Sequence, residues 1–221
     1  MTREILTRIY ELLYDAFGPQ NWWPGETSFE VVAGAILTQN TNWTNVEKAI
    51  ANLKSADCLN PVGLRHIDLA RLGELIRPAG YYNLKSRRLK NFVDWLFEGY
   101  EGDLENLRSV ATDRLRTELL AIKGVGRETA DSILLYALDR PVFVVDAYTA
   151  RVAIRHGLIE PDTGYEQLRD VFESSLPHDI QLFNEYHALL VRTGKDFCKP
   201  KAKCPGCPLE ELPHSIEIEQ F

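Results

Sequence analysis

A lone carboxylate and a glycine turn lie close together in this chain. Asp146 follows the apolar run Val142-Phe143-Val144-Val145 and precedes Ala147-Tyr148-Thr149-Ala150. A carboxylate emerging from apolar surroundings can stabilise a developing positive charge, or orient and deprotonate water. It is equally a good helix N-cap, and taken alone Asp146 reads as one. Asp146 stands twenty residues after Gly126, in the turn Gly124-Val125-Gly126. Both glycines can take positive φ without a Cβ clash, and their bare backbone lets a ligand approach the N–H groups. A helix opening near Gly126 points its orphan N–H groups and positive dipole end the same way, which suits an anion. Lys123 and Arg127 add charge on either side. The competing reading is an ordinary helix stop. The flanks weigh against it, because Leu119, Leu120 and Ile122 lead in while Ala130, Ile133, Leu134 and Ala137 continue one helical face.

Aromatic residues form a second constellation. Three of the four tryptophans fall in two segments, Trp22-Trp23-Pro24 and Gln39-Asn40-Thr41-Asn42-Trp43, which bracket one apolar helix. A single Trp would be core. Side chains at both edges of one helix can instead converge, and flat aromatic walls attract a planar cation. A third constellation is Cys198-x5-Cys204-x2-Cys207, in a basic loop containing Pro and Gly. Cysteines this close in a chain expected to be cytosolic suggest metal rather than a disulfide. Cys58 is distant and reads as a buried small apolar residue.

The elements that position these groups have helical period throughout. Ile5, Ile9, Leu12 and Leu13 form a stripe on a first helix. Thr27-Ser-Phe-Glu30 and Thr44-Asn-Val-Glu47 look like capping boxes, the first for Val31 to Leu37 and the second for a helix through Leu53. Further helices are expected over 68–76, 85–97, 111–122, 127–138, 147–156, 165–176 and 180–194, with a break at Pro78-Ala-Gly80. The strand-like run 142–145 is too short to found a sheet. The class is all-α.

At 221 residues with 45% apolar content, the chain can bury a full core as one domain or two small lobes. No apolar run approaches a membrane span and the N-terminus is no signal peptide, so no membrane partner and a cytoplasmic location are expected. The net charge of −7 argues weakly against a general nucleic-acid binder. Basic residues cluster nonetheless, at Lys85, Arg87, Arg88 and Lys90 and again at Lys195, Lys199, Lys201 and Lys203. Each cluster could be a solvated face; together with the hairpin they favour phosphate contacts.

The segment from Leu119 to Ala130 has the pattern Leu-x-x-Ile-x-Gly-Val-Gly-x-x-Thr-Ala, followed by Val145-Asp146. It resembles the helix-hairpin-helix DNA glycosylases of the endonuclease III superfamily. That family's loop before the aspartate carries Gly and Pro; this chain keeps Pro141 but has Asp139-Arg140 where the Gly would stand. Trp22-Trp23-Pro24, Leu37-Thr38-Gln39-Asn40-Thr41 and Arg77-Pro78-x-Gly80-Tyr81-Tyr82-Asn83-x-Lys85 are similar to the 3-methyladenine DNA glycosylase III branch.

The resemblance implies a two-lobed helical fold with a central DNA-binding cleft. A six-helix barrel would span residues 24–140, and residues 1–23 plus 141–221 would form a second helical domain. The implied partner is damaged double-stranded DNA, bound by a monomer through Gly124, Val125, Gly126, Lys123 and Arg127. Asp146 would assist hydrolysis of the flipped nucleotide. Trp22 and Trp43, with Trp23 beside them, would sandwich an alkylated purine. Gln39 would fill the gap the nucleotide leaves. Bifunctional relatives place a nucleophilic lysine two residues after the second hairpin glycine; Glu128 stands there, which implies a monofunctional enzyme without lyase chemistry. Glu128 could also contact a base edge or simply favour the helix start. Many relatives hold a [4Fe–4S] cluster on four cysteines spaced six, two and five. Here the first gap is five and Pro213 takes the fourth position. His214 then becomes a candidate fourth ligand for iron–sulfur or zinc, and an empty loop is the alternative. Rival functions are an endonuclease III-like glycosylase for oxidised pyrimidines or mismatches, a non-catalytic DNA-binding module, and a cluster-bearing redox or scaffold protein.

Overall fold

The computed structural model describes residues 2–216. Among them there is no strand, and every regular element is a helix or helical turn. It divides into two compact units, one of Met1–Trp22 with Pro141–Phe221 and one of Trp23–Arg140. No helix among the described residues is long and apolar enough to cross a membrane.

The unit Trp23–Arg140 is built round α2 (Ser28–Leu37), in which every residue from Phe29 to Leu37 is buried. A helix apolar on all sides must be wrapped by others. It packs against α3 (Trp43–Ser55), α6 (Tyr82–Tyr100) and the α8 segment. Between them come α4 (Pro61–His66), α5 (Leu69–Leu75) and two 3₁₀ turns, Arg77–Ala79 and Leu104–Ser109. Then α7 (Thr112–Ala121) and α8 (Arg127–Ser132) flank the glycine turn. Past Ser132 the helix continues as a π-helical turn, Ile133–Ala137.

Thr27 caps α2 as expected, accepting from the Glu30 N–H at 3.1 Å. The reciprocal half of that box is not formed, because the Glu30 carboxylate accepts from the Glu26 N–H and pairs with Lys54 at 3.0 Å. The second expected box is corrected. Helix α3 begins at Trp43, and its cap is Asn42, which accepts from the Asn45 N–H. Asn is the stronger N-cap, so the cap falls two residues before Thr44 and the helix starts one residue before it.

The other unit holds α1 (Thr2–Phe17), α9 (Ala147–Arg155), α10 (Tyr165–Ser175) and α11 (Ile180–Asp196). Its core centres on Phe143, stacked on Phe172 at 4.1 Å and met edge-on by Phe183 and Tyr186. The buried Tyr186 hydroxyl donates to the Leu6 carbonyl at 2.9 Å, tying α1 to α11. The apolar run 142–145 is buried extended chain with no strand partner; it seats Phe143 and delivers residue 146 to the start of α9.

Candidate functional site

The hairpin belongs to the unit Trp23–Arg140. Gly124 lies at φ +102°, and a Cβ there would stand 2.4 Å from Arg88 Cγ, so only glycine fits. Gly126 does not use the positive φ open to it. It is the N-cap of α8 at φ −93°, ψ 178°, which any residue can adopt, and a Cβ there would meet nothing within 4 Å. Neither backbone strain nor packing requires glycine at 126. Val125 is a buried anchor, while Lys123 and Arg127 are exposed on either side. The Lys123 carbonyl accepts from Asn91 Nδ2 at 2.8 Å. Glu128 is exposed in the first turn of α8, where a carboxylate favours the helix dipole.

Gln39 lies past the end of α2 and faces the hairpin. Its amide nitrogen donates to the Gly124 carbonyl at 3.1 Å and to Thr129 Oγ1 at 2.8 Å, while its oxygen accepts from Arg88. A bidentate pair, half-buried Arg116 with fully buried Asp131 at 2.6 and 3.0 Å, ties α7 to α8.

The basic cluster on α6, expected to favour phosphate contacts with a solvated face as the alternative, is partly turned inward. Lys85 is 1% exposed and donates to the Leu37 carbonyl at 2.8 Å and the Ala79 carbonyl at 2.7 Å. Burial, with Arg88 nearby, lowers its pKa to about 8. Lys90 donates to the Arg65 and Ile67 carbonyls beyond α4. Arg87 is exposed.

The ring that the structure brings to Trp43 within this unit is Trp23, edge to face at 5.0 Å and 87°. Tyr136, absent from the sequence reading, lies 5.1 Å from Trp23 at 35°. Trp22 belongs to the other unit, where the Lys195 ammonium sits 5.7 Å over its ring. Tyr81, part of the Arg77–Lys85 motif but given no role there, is 69% exposed and holds φ +45° at the start of α6.

In the unit with α9, Asp146 is the helix N-cap. Its Oδ1 accepts from the Thr149 N–H at 2.7 Å and the Thr149 hydroxyl at 3.0 Å. Its Oδ2 lies 3.6 Å from His187 Nε2, with the two side chains 12% and 6% exposed. Burial pushes the carboxyl pKa up, but His187 and the Thr149 donors outweigh it and hold the group below the ordinary carboxylate value. His187 was not found from sequence. Its signal was a lone histidine between Tyr186 and the apolar run 188–191 on the buried face of α11.

Cys198, Cys204, Cys207, His214, His156 and Arg155 all line one pocket in the same unit. The expected ligand set Cys198, Cys204, Cys207 and His214 is not assembled there, since no three His, Cys, Asp or Glu side chains among the described residues gather as a metal site. The local chemistry explains why. Arg155 donates to Cys198 Sγ at 3.1 Å and to the Pro200 carbonyl at 2.9 Å, placing a fixed cation against the sulfur. His214 Nδ1 is engaged by the Leu212 carbonyl at 2.8 Å, and the Pro213 carbonyl meets His156 at 3.1 Å. Burial, and then the neighbouring Cys198 and Cys204, push the Cys207 thiol pKa up. Cys198, Cys204, Cys207 and His214 thus share a pocket without being gathered into a ligand set among the described residues. Cys58, expected buried, is half-buried, with its thiol on the Ala56 carbonyl.

Residues 33–178 match the HhH-GPD superfamily of base excision DNA repair proteins. The chain is 53% identical over 211 residues to a provisionally named DNA repair glycosylase of Methanocaldococcus jannaschii, covering 95% of this chain and 96% of that one. Among solved structures it is similar to an H. pylori 3-methyladenine DNA glycosylase bound to 1,N6-ethenoadenine, with 32% identity and a TM-score of 0.75 over 88% of this chain and 97% of the other. An endonuclease III–DNA complex shares the fold at a TM-score of 0.81 and 24% identity, over 96% and 95% of the two chains. The chain belongs to the HhH-GPD superfamily and is a base excision repair DNA glycosylase of the endonuclease III-like fold.

Proposed function

We propose that this glycosylase is monofunctional and releases alkylated purines from damaged duplex DNA, with Asp146 assisting hydrolysis. The observation that carries the reading is the state of Asp146. One carboxylate, fixed by two Thr149 donors and kept ionised beside His187, is suited to oppose the positive charge of an oxocarbenium-like sugar. N-alkylation makes the purine a good leaving group, so a single carboxylate suffices. The 32% identity to a 3-methyladenine glycosylase supports this substrate class. Glu128 at the position of the lyase lysine supports hydrolysis without a Schiff base.

Gly126 supports the hairpin as the grip on DNA. Its missing side chain serves neither φ nor packing, which leaves an outside group as the reason for the open backbone. A phosphate on the first N–H groups of α8 is the simplest such group. The test is a panel of duplexes with alkylated purines, oxidised pyrimidines and mismatches, assayed for abasic sites before and after alkali. Wild type should release alkylated purines and cut the strand only after alkali, while Asp146→Asn should bind DNA but release no base. Strand cleavage without alkali, or borohydride trapping of a covalent complex, would refute the monofunctional reading.

A further inference from the structure

We propose that Tyr136 is a specificity-determining residue, completing with Trp23 and Trp43 an aromatic wall that selects the base. The inference rests on the proposed release of alkylated purines, and it gives the stacking role expected of Trp22 and Trp43 to Trp43 with its neighbour Trp23.

The helix from Arg127 begins as an ordinary α-helix and widens to a π turn at Ile133–Ala137. A π turn inserts one residue and rotates everything beyond it relative to the helix before. Such turns are rare and concentrate at functional sites. Within this one, Ile133, Leu134, Leu135 and Ala137 are buried, and Tyr136 alone is half-buried. The widened turn therefore brings out a single side chain. Its ring meets Trp23 at 5.1 Å, and Trp23 in turn meets Trp43 edge-on at 5.0 Å.

The floor of the same cluster is recessed. Gly34 sits in the middle of α2, where glycine weakens a helix. A Cβ there would stand 3.3 Å from Trp23 Nε1 and 3.5 Å from Trp43 Cη2. Two sequence-distant choices, a glycine in α2 and a π turn after α8, thus serve one set of three half-exposed rings. A core would bury those rings. Tyr136 sets the tilt of Trp23, and with it the slot a planar base can enter. Three electron-rich rings also favour a cationic base over a neutral one of similar shape.

The test uses the full chain with Tyr136→Phe and Tyr136→Leu, after melting curves show both folded. Single-turnover base release is measured across the duplex panel, as ratios between lesions on the same preparation, because general loss of folded enzyme cancels in a ratio. Tyr136→Phe should keep the wild-type ranking. Tyr136→Leu should lower the preference for cationic N-alkylpurines over neutral lesions by about fivefold or more. Should wild type prefer neutral lesions, the alkylation reading fails, yet a ranking changed in Tyr136→Leu and kept in Tyr136→Phe still supports Tyr136 as the selector. An unchanged ranking in Tyr136→Leu overturns the proposal. A wild-type protein that releases no base from any duplex overturns both.

Discussion

Lys85 offers a prediction whose size can be worked out. Its ammonium is buried and held by the Leu37 and Ala79 carbonyls, at the ends of α2 and of the 3₁₀ turn 77–79. Its pKa is lowered from 10.5 to about 8, first by burial and then by Arg88. Between those two pH values the unfolded chain holds a proton that the folded chain has lost. Wild-type stability must therefore gain from Lys85 as pH rises through that window, and stop gaining above it. The full span corresponds to about 3 kcal/mol. Lys85→Met removes the titration and leaves every other group in place. Urea unfolding of both proteins from pH 7 to pH 10.5 gives the difference at each pH, in which alkaline effects elsewhere cancel. That difference should move in favour of wild type by about 3 kcal/mol across the window. Parallel curves would show that Lys85 titrates normally and that its burial is misread. The variant also unties the end of α2, so the loop carrying Gln39 and Trp43 should loosen, seen as faster proteolysis between residues 38 and 42.

Gly126→Ala should leave stability within about 0.5 kcal/mol of wild type, since φ and space both allow it. Its DNA affinity should nonetheless fall in a salt titration; unchanged affinity would remove the phosphate from the hairpin. Gly124→Ala should lose about 1–3 kcal/mol to positive-φ strain, with more from Arg88, measured by urea midpoint. Asp131→Asn breaks the buried pair with Arg116 and should cost about 3–5 kcal/mol, read the same way. For Asp146 the lowered pKa means its stabilisation is present above the unfolded value and is lost as pH falls through the folded one. The part of the stability gap between wild type and Asp146→Asn that comes from the carboxylate should therefore shrink below about pH 4. A gap that closes above pH 5 would refute the ionised carboxylate.

Long helices were legible because an apolar stripe repeats often enough to be seen. Asp146 was legible twice over, as a cap and as a candidate for chemistry, and it is the cap of α9. The six-residue helix α4 was missed because it is too short to show a period, although Asn60-Pro61 is a good opening. The π turn was invisible for the opposite reason. Ile133 to Ala137 reads as unbroken apolar helix, and only packing against α2 reveals the inserted residue. Lys85 shows the limit of charge patterns. A lysine among arginines reads as surface, and its burial depends on two carbonyls brought together from residues 37 and 79. His187 comes beside Asp146 only because α11 packs on α9.

Gln39 is tied to the hairpin in the protein alone. Its side chain is already satisfied by Gly124, Thr129 and Arg88. Were Gln39 to fill the gap left by a flipped nucleotide, as the family resemblance implies, it would have to give those bonds up, and insertion would be an exchange and not a gain. On intact DNA, where the base stays stacked, that exchange would go against insertion. A damaged base that stacks or pairs weakly lowers the opposing cost and tips the balance. In that role, discrimination would begin before any ring touches a base, in the release of one amide.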